Sequence, residues 1–162
     1  MNKKYELVPD ETVGGLTRIR ALRDIPKFNV KVGDLGGYIK SERNLSHDGD
    51  CWVSGYACVS ECSHVSGDSR ISGHAHVFGE AHVSGASRIK TERDYCVFSR
   101  VGSENGVLTV SKGEAELFAV RGCFTGTLDE FEAAVNRRSN EQIKKEYALL
   151  IQFARLRLGG AA

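Results

Sequence analysis

Cysteines, histidines and carboxylates recur at separations of 18 in the middle of this chain. Cys58 precedes His76 by 18 residues and Asp94 follows His76 by 18 more; Cys62 and Glu80 are spaced alike, as are His64 and His82. A thiol, an imidazole and a carboxylate in one column are the residue types of a thiolate nucleophile, its base and an orienting acid. Cysteine, glutamate and histidine together are metal-ligand types. A third series is Trp52, Arg70 and Arg88, with Asp50 and Asp68 two residues before the first two. Asp68 with Arg70 suits an acidic or aromatic partner surface, or else forms a solvated ladder of ion pairs.

The stretch that must bring these residues together is 49–90, where one six-residue phrase is written seven times without interruption: GDCWVS, GYACVS, ECSHVS, GDSRIS, GHAHVF, GEAHVS and GASRIK. Val53, Val59, Val65, Ile71, Val77, Val83 and Ile89 fall six apart, and two residues before each stands Cys51, Ala57, Ser63, Ser69, Ala75, Ala81 or Ser87. A period of six is not helical, because 3.6 residues per turn would spread the branched column around every face. Small and branched residues in alternation, punctuated by glycine, predict short strands with two inward positions each and a turn at the glycine. Repeated units of this kind bury one another.

The phrase resembles the hexapeptide repeat of left-handed parallel β-helices, in which three hexads make one triangular coil. That resemblance implies a mainly β fold with some α structure: a short left-handed parallel β-helix, an N-terminal β cap, and a C-terminal β-hairpin plus two-helix cap. On such a coil outward residues 18 apart stack about 4.8 Å from one another. The phrase breaks after Ile89, since continuing it would turn Arg93 inward, where an unpaired charge is costly. Winding is therefore expected to stop near residue 90, which removes Asp94 from the Cys58 and His76 column. Side chains on a flat face also project in parallel, whereas catalysis and tetrahedral metal binding need convergence. No catalytic residue, metal or cofactor is expected.

A narrower resemblance lies in the flanks. RIRALRDI, then VGDLGGYIKSERNLSHDGDCWV, and later GCFTGTLDEFEAAV resemble uncharacterised phage and prophage proteins whose repeats are of V-x-G-x-A type. The resemblance carries no activity with it. The chain divides on this reading into an N-terminal β cap over 1–46, the hexads over 47–94 and a C-terminal cap over 95–162. Within the first part, Gly14 and Gly15 predict a hairpin turn, and Arg18, Arg20 and Arg23 fall on its second strand. Ile39 and Leu45 are already six apart but Val53 follows by eight, so a two-residue irregularity is expected there. Within the last part, YCVFSRV, GVLTVS and AELFAVRG read as strands, the last two joined through Lys112 and Gly113. Thr127 with Glu130 and Ser139 with Gln142 read as capping boxes opening two helices. The second helix carries the stripe Ile143, Tyr147, Leu150, Ile151, Ala154 and Leu158, which packs on the hairpin or faces a second subunit.

Composition narrows the function classes. The net charge is +1, so no overall field points to nucleic acid or to a membrane. Five cysteines without framework spacing and an N-terminus lacking an apolar run fit a cytoplasmic protein without structural disulfides. Residues 47–96 hold seven Asp/Glu against four Lys/Arg, which favours a basic protein surface as partner. The leading expectation is a non-catalytic interaction protein of phage type, dimeric or trimeric, that docks on a host protein or complex and inhibits or modulates it, as an anti-CRISPR or other counter-defence protein does. Its contact residues are expected to be Trp52, Tyr56, Asp68, Arg70, His74, His76, Phe78, Glu80, His82 and Arg88. The hexapeptide family implies the runner-up, an acyltransferase using an acyl-CoA donor with a histidine base. A third reading is sequestration of a nucleotide signal, with phosphates near Arg18, Arg20, Arg70 or Arg88 in a pocket between subunits.

Overall fold

The computed structural model describes residues 2–159. β1 (Tyr5–Val13) and β2 (Leu16–Ala21) form an antiparallel hairpin turned at Gly14 and Gly15, both at positive φ. Arg23 lies beyond the end of β2, so only Arg18 and Arg20 of the three expected arginines are on it. A 3₁₀ turn, Pro26–Phe28, leads to β3 (Leu35–Ile39), and another, Glu42–Asn44, leads into the hexads.

Each hexad supplies one two-residue strand: β4 (Trp52–Val53), β5 (Cys58–Val59), β6 (His64–Val65), β7 (Arg70–Ile71), β8 (His76–Val77), β9 (His82–Val83) and β10 (Arg88–Ile89). The strands are short because a residue at positive φ turns the chain in every unit. Glycine fills that corner at 49, 55, 67, 73, 79 and 85, and Glu61, at φ 56°, fills it once. Parallel partners are 18 residues apart: Val53 with Ile71, Ile71 with Ile89, Val59 with Val77, and Val65 with Val83. One layer earlier the offset is 20, with Ile39 opposite Val59 and Leu45 bridging Val65, which places the two extra residues between Leu45 and Val53.

The fold class expected from the repeat is overturned. The strands divide among four separate sheets: mixed β1-β2-β3-β5-β8, parallel β10-β7-β4, parallel β6-β9, and an antiparallel four-stranded sheet. No left-handed β-helical solenoid is formed among the described residues; the architecture is several small sheets followed by two helices. Two causes are physical. Pairing lapses at every corner, so no ladder between hexads grows beyond two residues in width, and the hairpin joins through β3 onto β5 and β8, which makes that sheet mixed.

After a 3₁₀ turn, Glu92–Asp94, the fourth sheet is built from β11 (Tyr95–Val101), β12 (Gly106–Lys112), β13 (Leu117–Arg121) and β14 (Phe124–Thr127). The expected hairpin is thus part of a larger sheet. α1 (Leu128–Arg138) opens on the Thr127 and Glu130 capping box. α2 (Glu141–Leu158) is capped by Asn140, whose Oδ1 accepts from the Ile143 amide at 2.9 Å. Ser139 cannot start it, because its own amide donates to the Val135 carbonyl and ends α1. Among the described residues no helix is long and apolar enough to cross a membrane.

Apolar burial falls into two clusters, one spanning Tyr5 to Tyr95 and the other Cys96 to Leu158. All seven branched hexad residues are buried in the first. The second takes the α2 stripe, with Tyr147, Ile151, Ala154 and Leu158 buried inside the chain; a different line, Leu149, Phe153 and Leu156, is exposed. The two clusters meet where the His82 amide donates to Thr109 Oγ1 at 3.0 Å and Ser87 Oγ lies 2.6 Å from Ser111 Oγ. The opposite end of the ladders is closed by Lys4, whose Nζ lies 3.0 Å from Cys51 Sγ and 3.4 Å from the Gly49 carbonyl.

Candidate binding surfaces

Two surfaces gather the polar and aromatic side chains that the repeat turns outward. On the mixed sheet, Cys58 is the partner of His76, so Tyr56, Cys58 and Ser60 project beside His74, His76 and Phe78. Tyr56 stacks on His74 with ring centroids 5.3 Å apart and planes 8° apart, and the His76 ring centroid is 5.1 Å from that of Phe78. Tyr56 is 66% exposed and Phe78 44%. The row is held from behind: Ser60 Oγ is 2.8 Å from His76 Nε2, and the Tyr95 hydroxyl donates to the His76 carbonyl at 2.9 Å.

Acids border this row. Glu61 Oε2 accepts from the Gly79 amide at 2.8 Å, which sets a carboxylate next to Phe78. A residue with a Cβ in the left-handed region carries a penalty of about 1–2 kcal/mol relative to glycine, so the acid is held there against local preference. Glu80 and Glu92 line, with Phe78 and Tyr95, a shallow cavity of about 430 Å³.

The second surface is a basic groove of about 690 Å³ on the β10-β7-β4 sheet, lined by Lys27, Phe28, Arg70, Arg88, Lys90 and Lys112 together with Ser72, Asp94, Gly113 and Glu114. Four separate segments supply its cations. Arg70 and Arg88 are direct partners across the parallel ladder, and both guanidiniums lie over Phe28, at 5.5 and 4.8 Å from the ring centroid. The 3₁₀ turn puts Phe28 there with Lys27 beside it in the lining, the Lys27 Nζ 2.8 Å from Asp68 Oδ2. Hydrogen bonding from Lys27 is the main cause holding the Asp68 carboxyl below its usual value of 3.8. Lys112 comes from the end of β12, across the bridge between Ser87 and Gly113.

Several expected contact residues lie elsewhere. Trp52 is 1% exposed and belongs to the core, because β3 crosses it at Gly36, where an added Cβ would sit 2.8 Å from the indole. Arg18 and Arg20 do not join Arg70 and Arg88. Arg18 donates to the Gly36 carbonyl and pairs with Glu11, while Arg20 pairs with Glu6. Glu80 lines the cavity beside Phe78, and its charge also reaches His82.

The columns that could do chemistry are spoken for by other contacts. Cys58 Sγ faces the Tyr56 carbonyl, burial pushes its thiol up, and His76 Nε2 is engaged by Ser60. Asp94 Oδ2 accepts from the Lys90 and Thr91 amides, both at 2.9 Å, and so caps the 3₁₀ turn. His64 Nδ1 lies 2.6 Å from the Arg43 carbonyl, and its ring is tilted 53° to that of His82. Burial, then the charge of His64, holds His82 below its usual value of 6.5. Among the described residues no three of His, Cys, Asp and Glu are grouped to hold a metal ion, and all five cysteines are free.

Sequence reasoning missed the Ser60 and His76 pair, although Ser60 follows Cys58 by two on the same face. It has the spacing of a nucleophile and base, but Ser60 is only 9% exposed. It also missed Lys27, Phe28, Lys90 and Lys112 of the groove, which lie outside the regular hexad pattern. No protein-family model matches the chain, and no curated protein matches it.

Proposed function

We propose that this chain is a non-catalytic interaction protein that docks on a basic partner protein through the row of Tyr56, His74, His76 and Phe78. One observation carries the reading: two ring pairs, Tyr56 with His74 and His76 with Phe78, stand side by side on a sheet whose backbone is already fixed, with Tyr56, His74 and Phe78 exposed and His76 half-buried. Aromatic side chains placed on a rigid support lose little conformational freedom on binding, which is what contact hot spots require. Glu61, Glu80 and Glu92 around Phe78 give the row its preference for cations. The resemblance to phage proteins makes a host protein or complex the partner class, with inhibition or modulation as the outcome of docking.

Capture from host lysate by the tagged chain tests this. A single stoichiometric protein is expected, lost when Phe78→Asp and Tyr56→Asp are introduced together and kept when the groove lysines are replaced, with the thermal midpoint of every variant close to that of the parent. Copurified CoA, or capture indifferent to the paired aspartates, would defeat the proposal and restore the acyltransferase reading in the first case.

A further inference from the structure

The basic groove calls for a ligand of its own. Like charges directly opposite each other in a β-ladder repel, and Arg70 and Arg88 are such partners. Lys90 follows Arg88 by two residues, and Lys27 and Lys112 reach the same cavity from two other segments, so five cations face two carboxylates among the lining residues. Asp68 already pairs with Lys27 at 2.8 Å, and neither lining carboxylate neutralises the other four well. Asp94 Oδ2 is occupied by two backbone amides, and the Glu114 side chain is 84% exposed, with Oε1 3.6 Å from Arg88 Nε.

The donors are also pre-set. Arg88 Nη1 is tied to the Asp68 and Ser87 carbonyls at 2.8 and 2.9 Å, which fixes its guanidinium over Phe28. Arg70 Nε is shut off from solvent and has no acceptor. A guanidinium so oriented presents a planar fork that suits oxyanions, and phosphate in particular. The cavity is larger than one phosphate needs and within the range of small-ligand sites. Phe28 is 6% exposed and covered by both arginines, leaving no aromatic platform on which a base could stack.

We infer that this groove is a binding site for a compact polyphosphate, recognised through the charge and oxygens of two or more linked phosphate groups rather than through an attached base. Its volume of about 690 Å³ suits a small anion. The site lies on a different sheet from the aromatic row, so the inference stands apart from the docking proposal.

The test is titration of the full chain with pyrophosphate and tripolyphosphate, followed by calorimetry and by phosphorus NMR. Saturable one-to-one binding that weakens with added salt is expected, together with a shifted phosphorus resonance. Lys90 and Lys112 are both exposed, so a Lys90→Ala, Lys112→Ala double variant should fold as the parent does and bind at least tenfold more weakly. Phe78→Asp should leave phosphate binding unchanged. Absence of binding would overturn the inference, as would citrate binding as tightly as tripolyphosphate, which would mark a general anion patch. Preference for a short oligonucleotide over tripolyphosphate would overturn it too.

Discussion

The ladders between Tyr5 and Tyr95 and the sheet with helices between Cys96 and Leu158 bury their apolar residues by different means. In the ladders each hexad gives the core one branched and one small side chain, and the vertical spacing is set by backbone pairing. The later unit packs whole amphipathic faces, with Phe131 edge-on to Tyr147 and Phe124 tilted against Phe131. The ladder core therefore has little freedom to close a gap, whereas the helices can shift against their sheet. The difference also separates local from shared stability, because the two units touch through few polar joints.

The largest effect that would sharpen this contrast is expected from Ile71→Ala. Ile71 is buried between Val53 and Ile89, and removing it should destabilise by about 3–4 kcal/mol, toward the upper part of the usual range because the layers cannot collapse. Urea unfolding followed in two ways reads out more than the size. Trp52, the only tryptophan, reports the ladders, and circular dichroism at the helix band reports α1 and α2. A fluorescence midpoint that falls while the helix signal stays in place would show two units; coincident shifts would show one cooperative fold and break the comparison.

Corner residues give the next effect. An alanine Cβ at Gly49 would lie 2.6 Å from the Gly67 carbonyl oxygen, whereas at Gly79 its nearest neighbour is 4.0 Å away, and both corners have positive φ. Gly79→Ala should lose about 1 kcal/mol from the left-handed backbone alone, and Gly49→Ala visibly more in the same denaturation assay. Equal losses would mean that layer contact contributes nothing.

The smallest effect is in pH dependence. Burial pushes the Lys4 amine below its usual 10.5 and the Cys51 thiol above its usual 9.0. Between the depressed Lys4 value and 10.5 the unfolded chain binds more protons, so stability rises with pH across that window. Above 9.0 the unfolded thiol ionises first, so Cys51 makes stability fall as pH rises further. Lys4→Met should change stability near neutral pH by about 1 kcal/mol or less, since an apolar group of similar shape replaces the amine. It should flatten the alkaline rise and leave the fall above 9.0; a thermal midpoint that still climbs with pH in the variant would assign the rise to another group.

What was legible in the sequence follows range of interaction. The six-residue period fixed which residues face inward, and the eight-residue step from Leu45 to Val53 located the extra pair in the first layer. Gly14 with Gly15, and Thr127 with Glu130, are local signals read correctly because their chemistry acts over a few residues. The fold class was misjudged, since the repeat says how strands stack but not that β3 would join antiparallel strands to one wall. Trp52 was assigned to the surface by its column, and only the crossing of Gly36 buries it. Tyr56, His74 and His76 were readable as one face from the 18-residue spacing, while the groove was not: Lys27, Phe28 and Lys112 reach Arg70 and Arg88 through segments far away in the chain.

The offset of 18 between parallel partners has a consequence for how this chain can change length. Loss or gain of one hexad would send every later strand to a different sheet and leave Ser111 and Thr109 facing the wrong neighbours. Only whole triplets preserve the joints, and dropping 67–84 would bring Trp52 opposite Arg88 while deleting Arg70. The groove is built on β7 and β10, so loss of 67–84 takes one of its arginines, whereas loss of 49–66, equal in length, keeps both together with His82 and Ser87.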